Sequence, residues 1–152
     1  MSLPRILHAE ITRRAEGWRD YLVQASGDER HRRTGQAAGD IALWLRIANE
    51  LGWSTIPPLP PIELRGDLAH SLRSVDQLAP LGDAADWQAA RESITRSIAR
   101  ARATPDPAPP ALIARLRDLR TIDRAFAHAE QAFAARTARA QPATPEPRKE
   151  AA

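Results

Sequence analysis

Cysteine is absent from this chain of 152 residues, which excludes disulfide bonds, thiolate metal sites and a cysteine nucleophile. Residues that favour β-strands are scarce, because the chain has one Tyr, two Phe and only two Val. Lysine occurs once, at Lys149, although there are 22 basic residues, and Ala fills 30 positions. Because Arg and Ala form helices readily and little here competes with helix, the composition predicts an all-α protein.

Long apolar runs are also missing. No segment approaches the ~20 apolar residues that a membrane span needs, and the charges within residues 1–25 exclude the apolar core of a signal peptide. We therefore expect a cytoplasmic protein without a membrane partner. The net charge of +3 is modest, and the excess of Arg over Lys is more typical of a GC-rich coding sequence than of a binding surface.

Apolar residues recur every three or four positions in five segments, which is the spacing of amphipathic helices. The predicted helices cover about residues 5–25, 28–51 or 34–51, 63–78, 84–101 and 111–139. Asp83 is the expected N-cap of the fourth helix, and Gly52 is expected just past the end of the second. The polar face of the first helix, with Glu10, Arg13 and Arg14, is expected to be solvated.

Proline-rich stretches suggest how these helices are grouped. The sequence predicts a five-helix bundle in four parts: an N-terminal helical hairpin (1–56), a proline-rich connector (57–62), a three-helix unit (63–139) and a disordered tail (140–152). The fifth helix is the longest and would span roughly 40 Å. Whether the hairpin and the three-helix unit share one core or form two lobes stays open.

Two groups of basic residues are candidate contacts for phosphate or nucleic acid. The first is the densest basic cluster, near the start of the second helix, and the second is a stripe on the fifth helix: Arg30, His31, Arg32 and Arg33, then Arg117, Arg120 and Arg124. The alternative is that both are solvated, since Asp28, Glu29, Asp118 and Asp123 dilute them. No aromatic residue lies between the arginines of the stripe, so a base-stacking platform is missing.

Catalytic motifs are lacking. The four histidines form no HExxH pattern, and the chain has neither a Gly-x-x-x-x-Gly-Lys loop nor a Gly-x-Ser-x-Gly elbow. Residues 47–56 resemble the start of a helix-turn-helix, but the prolines over 57–61 occupy its recognition helix. We therefore expect no enzyme activity, no cofactor and no metal.

Protein partners are the remaining expectation. Trp53 follows the capping glycine and either packs on its own helix or anchors a partner. On the fifth helix, Phe126 is assigned to the core and Phe133 to an interface. The sequence thus predicts a small helical interaction protein, a regulatory or assembly subunit that binds a protein partner or a second copy of itself through helix packing. The alternative is an accessory nucleic-acid-binding protein that uses arginine-rich helix faces without base-specific readout.

Overall fold

The computed structural model describes residues 2–52, 80–104 and 109–140 of the chain. Four α-helices account for nearly all of them, and these residues include no strand: α1 (Leu3–Val23), α2 (Gly27–Glu50), α3 (Ala84–Arg102) and α4 (Pro110–Ala140). The prediction of an all-α protein is confirmed for this part of the chain.

The predicted count of five helices is wrong, since the described residues contain four. The predicted third helix (63–78) lies outside the described residues, as do Trp53, the connector (57–62) and residues 141–152 of the predicted tail. The error has a physical reason. Periodic apolar residues mark a segment that is able to form an amphipathic helix, but they do not show which segments pack into one core. That depends on tertiary contacts, and the described core is built by α1, α2, α3 and α4.

The helix ends of α2 and α4 lie close to the positions that glycine and proline residues indicate. Gly52 follows α2 with φ +87°, the left-handed conformation that glycine adopts at low cost, as predicted for a residue after a helix end. The earlier of the two predicted starts of α2 is the closer one, because the helix begins at Gly27. Pro110 opens α4, where its missing N–H costs no helical hydrogen bond.

One apolar cluster joins the four helices. α1 packs mainly on α2 and α3 on α4, while further contacts join α1 to α4 and α2 to α3. The fully buried side chains of this cluster include Leu7, Ile41, Trp44, Leu45, Ile47, Ile94, Leu119, Ile122 and Phe126. The indole Nε1 of Trp44 donates a hydrogen bond to Ser93 Oγ at 3.0 Å, which satisfies the one polar atom of this large core side chain and links α2 to α3.

The N-cap of α3 offers a test of local stability. The Asp83 carboxylate accepts a hydrogen bond from the backbone N–H of Asp86 at 2.9 Å, whereas Ser26, the N-cap of α2, makes no such side-chain bond. We expect Asp83→Ala to lower the free energy of unfolding by about 1 kcal/mol. Ser26→Ala is the matched control and should cost only a few tenths of that. Urea unfolding followed by circular dichroism measures both, and equal losses would contradict the prediction.

Candidate functional site

A buried glutamate lies where α1 meets α4. Glu10 is only 1% exposed, and Glu is seldom buried without partners. Its carboxylate contacts three arginines: Arg13 Nη1 at 2.7 Å, Arg14 Nε at 3.3 Å and Arg115 Nη2 at 3.0 Å. Because Arg115 belongs to α4, this carboxylate ties the two helices together. The expectation that this face of α1 is solvated is wrong for Glu10.

Arg14 connects three helices. Its Nη1 donates to both carboxylate oxygens of Asp40 on α2 at 3.1 Å, and its Nη2 donates to Ser97 Oγ on α3. The guanidinium carbon lies 4.0 Å from the centroid of the Trp44 ring, a cation–π contact. Trp18 Nε1 also donates to Asp40, at 2.9 Å. Asp40 and Ser97 therefore fix both terminal nitrogens of Arg14, whereas its buried Nε makes no hydrogen bond with the described residues.

An open cleft of about 540 Å³ lies beside these residues. Four arginines from three helices line it, two from α1, one from α3 and one from α4: Arg13, Arg14, Arg100 and Arg115. Two aromatic side chains of α1, Trp18 and Tyr21, line the same cleft. We call it the arginine cleft, and its chemistry is that of an anion-binding site with an aromatic wall.

A second concave surface, of about 400 Å³, lies between the start of α3 and the end of α4. At its base the rings of Trp87 and Phe133 are stacked, with centroids 4.9 Å apart and planes inclined by 21°. Trp87 is buried and Phe133 is half-buried. Small and polar side chains complete the lining: Ala84, Gln88, Glu130, Ala134, Thr137 and Ala138. We call this surface the aromatic groove. Its floor is apolar, and Phe133 is the part of the floor that solvent reaches.

The predicted basic cluster lies on the first turns of α2. Arg30, His31 and Arg32 are exposed, and Arg33 is half-buried. Glu29 accepts hydrogen bonds from Arg32 at 2.6 Å and Arg33 at 2.9 Å, and the bond from Arg32 is the main cause of a lowered pKa at Glu29. Intramolecular contacts therefore already engage two of the four predicted phosphate ligands, Arg32 and Arg33.

Arg33 is further engaged by α1. Its Nη1 donates to the backbone carbonyl of Tyr21 at 2.8 Å, and its guanidinium lies 3.8 Å from the centroid of the Tyr21 ring. The Arg33 side chain therefore links the start of α2 to the end of α1. This geometry supports a structural role for Arg33.

The predicted arginine stripe is exposed on α4. Arg117 lies 3.5 Å from Asp118, and Arg124 donates to Thr121 Oγ1 at 3.5 Å, so both contacts are weak and partly screened by solvent. Arg120 is exposed as well. None of the seven predicted basic residues lines the arginine cleft.

Sequence reasoning missed the arginine cleft, although one signal for it was present. Arg14 lies seven positions after Leu7, and Glu10 lies three after it, so both fall within or beside the apolar stripe of α1. Charged residues at such positions are buried or half-buried and need partners. Their partners, Asp40 and Arg115, lie 26 and 105 residues away along the chain, and sequence spacing alone does not join them.

Comparison with known proteins finds no matching family model, no matching curated protein and no matching solved structure. Among residues 2–52, 80–104 and 109–140, no cluster of three or more histidine, aspartate or glutamate side chains is placed to hold a metal ion. Over the same residues, no helix has the length and apolar character needed to cross a membrane.

Proposed function

We propose that this chain is a non-enzymatic helical interaction protein, a regulatory or assembly subunit whose partner binds at the aromatic groove. The observation that carries the proposal is the length of α4. Phe126 is the last buried residue of this helix, yet the helix continues to Ala140. The remaining residues, 127–140, rise about 21 Å along the axis and bury no side chain fully.

Phe133 gives this extension an apolar anchor. It lies seven residues after Phe126, on the same face of α4, and stacks on Trp87 while remaining half-buried. Aromatic side chains are enriched in the cores of protein interfaces, and the small side chains of Ala134 and Ala138 beside Phe133 leave space for a partner's side chain. A long helix with such an anchor is suited to receive a further helix.

Charge indicates what kind of helix fits. Residues 131–140 carry Arg136 and Arg139 and no acidic residue. The acid that precedes them, Glu130, already pairs with Arg91 at 3.1 Å. A second copy packed symmetrically on this segment would bring like charges together. The partner that complements the segment is an amphipathic helix of another protein, with large apolar residues facing the groove and acidic residues on its flanks.

Cross-linking tests this proposal directly. Because the chain has no cysteine, Ala138→Cys introduces a single thiol in the aromatic groove, which is then labelled with a photoactivatable benzophenone. After irradiation in extracts of the organism's own cells, the cross-linked peptide is sequenced. We expect an amphipathic helical segment with acidic flanks, and we expect Phe133→Ala to abolish its capture. Ala103→Cys, exposed after the opposite end of α3, is the matched control.

Three outcomes would overturn the proposal. The first is a cross-link only to a second copy of this chain, the second is equal capture by Ala138→Cys and Ala103→Cys, and the third is no captured segment at all. Nucleic-acid binding is the competing function, and it rests on exposed residues such as Arg30, Arg120 and Arg124. A salt titration of binding to random-sequence DNA and RNA measures it. A steep fall in affinity with salt, abolished by neutralising these arginines, would favour it.

A further inference from the structure

We propose that the arginine cleft binds a small phosphate ester with a planar ring, of the mononucleotide class. The proposal does not depend on the proposed function, because the cleft and the aromatic groove share no lining residue. It rests on charge, on the fixed position of the arginines and on the aromatic wall.

The cleft holds more positive than negative charge. Four arginines line it, and the carboxylates among them are Asp40 in its wall and Glu10 beneath it. Two positive charges therefore remain uncompensated, which matches the two negative charges of a phosphate monoester near neutral pH. Arg100 is exposed to the cleft and makes no hydrogen bond or ion pair with the part of the chain that the structure describes. No described residue therefore competes with a ligand for its guanidinium.

Two of the other arginines that line the cleft, Arg13 and Arg115, use only part of their donors within the described residues. Arg115 uses Nε and Nη2 on Glu10, and its Nη1 has no hydrogen-bond partner among the described residues. Arg13 uses one Nη1 contact to the same carboxylate and keeps its remaining donors. Donors that are already held in place match phosphate oxygens at lower entropic cost than those of an isolated surface arginine, which first loses conformational freedom.

Glu10, which is buried, and Asp40, which is half-buried, hold Arg13, Arg14 and Arg115 in place before any ligand arrives. Glu10 anchors three of the guanidinium groups, and Asp40 and Ser97 fix Arg14. Side chains that are already ordered lose little conformational entropy when a ligand binds. A preorganised site therefore binds more tightly than a flexible site that makes the same contacts. The same arrangement explains why like charges are gathered here: two carboxylates bring Arg13, Arg14 and Arg115 together but do not neutralise the cleft.

The volume and the aromatic wall define the rest of the ligand. A cleft of about 540 Å³ lies within the ~300–1,000 Å³ typical of small-molecule sites and is larger than a phosphate group needs. Trp18 and Tyr21 line it in an edge-to-face arrangement, with centroids 5.8 Å apart. Gln36 also lines the cleft, and its side-chain amide has both donor and acceptor atoms. The heterocyclic base of a nucleotide has a flat face for contact with the aromatic side chains and ring atoms for hydrogen bonds with the Gln36 amide.

Isothermal titration calorimetry of the full chain tests the proposal, with adenosine monophosphate as the main probe and inorganic phosphate and adenosine as separate arms. We expect adenosine monophosphate to bind most tightly and adenosine least tightly. Arg100→Gln should weaken the binding of adenosine monophosphate roughly tenfold, because it removes a charge-assisted contact. Arg96→Gln is the matched control on the same helix. Arg96 is exposed and lies 3.9 Å from Glu92, outside the cleft, so its loss should leave the affinity unchanged.

A second readout locates the ligand. The indole N–H signal of Trp18 in a nitrogen-15 spectrum should shift on addition of adenosine monophosphate, and that of Trp44 should shift less because Trp44 is fully buried. The proposal is overturned if neither adenosine monophosphate nor phosphate binds at millimolar concentration, or if the two arginine variants weaken binding equally. It is also overturned if random-sequence RNA binds through Arg100 far more tightly than the nucleotide, since the cleft would then hold a nucleic-acid backbone.

Discussion

Glu10→Gln is expected to lower the free energy of unfolding by about 3 kcal/mol. Removing one partner of a buried ion pair leaves an uncompensated buried charge, which typically costs 3–5 kcal/mol. The Glu10 side chain is 1% exposed, and those of Arg14 and Arg115 are 13% and 26% exposed. The expected value lies at the low end of the range because solvent in the arginine cleft screens the two guanidinium groups. Urea unfolding followed by tryptophan fluorescence and circular dichroism gives the free energy.

Glu16→Gln is the control for this substitution. Glu16 lies on the same helix and is exposed, so the same chemical change there should alter stability by no more than about 0.5 kcal/mol. A double-mutant cycle of Glu10→Gln with Arg115→Gln isolates the link between α1 and α4 and should give a coupling energy above about 1 kcal/mol. Equal losses for Glu10→Gln and Glu16→Gln would mean that Glu10 does not carry the charge network that the structure shows.

The helices that are described were largely predictable, because their signals are local. Asp83 is the N-cap of α3 as expected, and Gly52 has the positive φ that its place after α2 predicts. The apolar faces of α2 and α3 carry Trp44 and Trp87, which are 0% and 3% exposed. The number of helices in the described bundle was not predictable in this way, since periodicity does not report which segments pack together.

The arginine cleft was not predictable for a related reason. Glu10 and Arg14 belong to a helix whose opposite side is plainly polar, so a solvated face was the simpler interpretation. Their burial depends on α2 and α4 approaching α1, and the contact from Arg115 spans 105 residues. A network of charges is specified by the tertiary structure, whereas a helix cap is specified within four residues. The basic cluster over residues 30–33 was visible because its members are adjacent in sequence, and Glu29 neutralises part of it for the same reason.

The two phenylalanines of α4 provide the second large expected effect. Phe126 is fully buried, and its ring centroid lies 5.2 Å from that of Trp87. We expect Phe126→Ala to lower the free energy of unfolding by about 3–5 kcal/mol, as truncations of core aromatic side chains do. Phe133 is half-buried, so Phe133→Ala removes the stack on Trp87 and only part of a buried surface, and should cost roughly 1–2 kcal/mol.

The difference in stability between these two variants shows whether Phe133 belongs to the core or to a partner interface. Phe133→Ala should stay folded, with an unchanged circular dichroism spectrum, and should lose the partner segment that cross-links at Ala138. Thermal melting and molecular mass from light scattering, measured for each single variant, decide the question. If Phe133→Ala destabilises the isolated chain as severely as Phe126→Ala, then Phe133 belongs to the core. In that case the whole of α4 is internal scaffold, and the aromatic groove is not a partner surface.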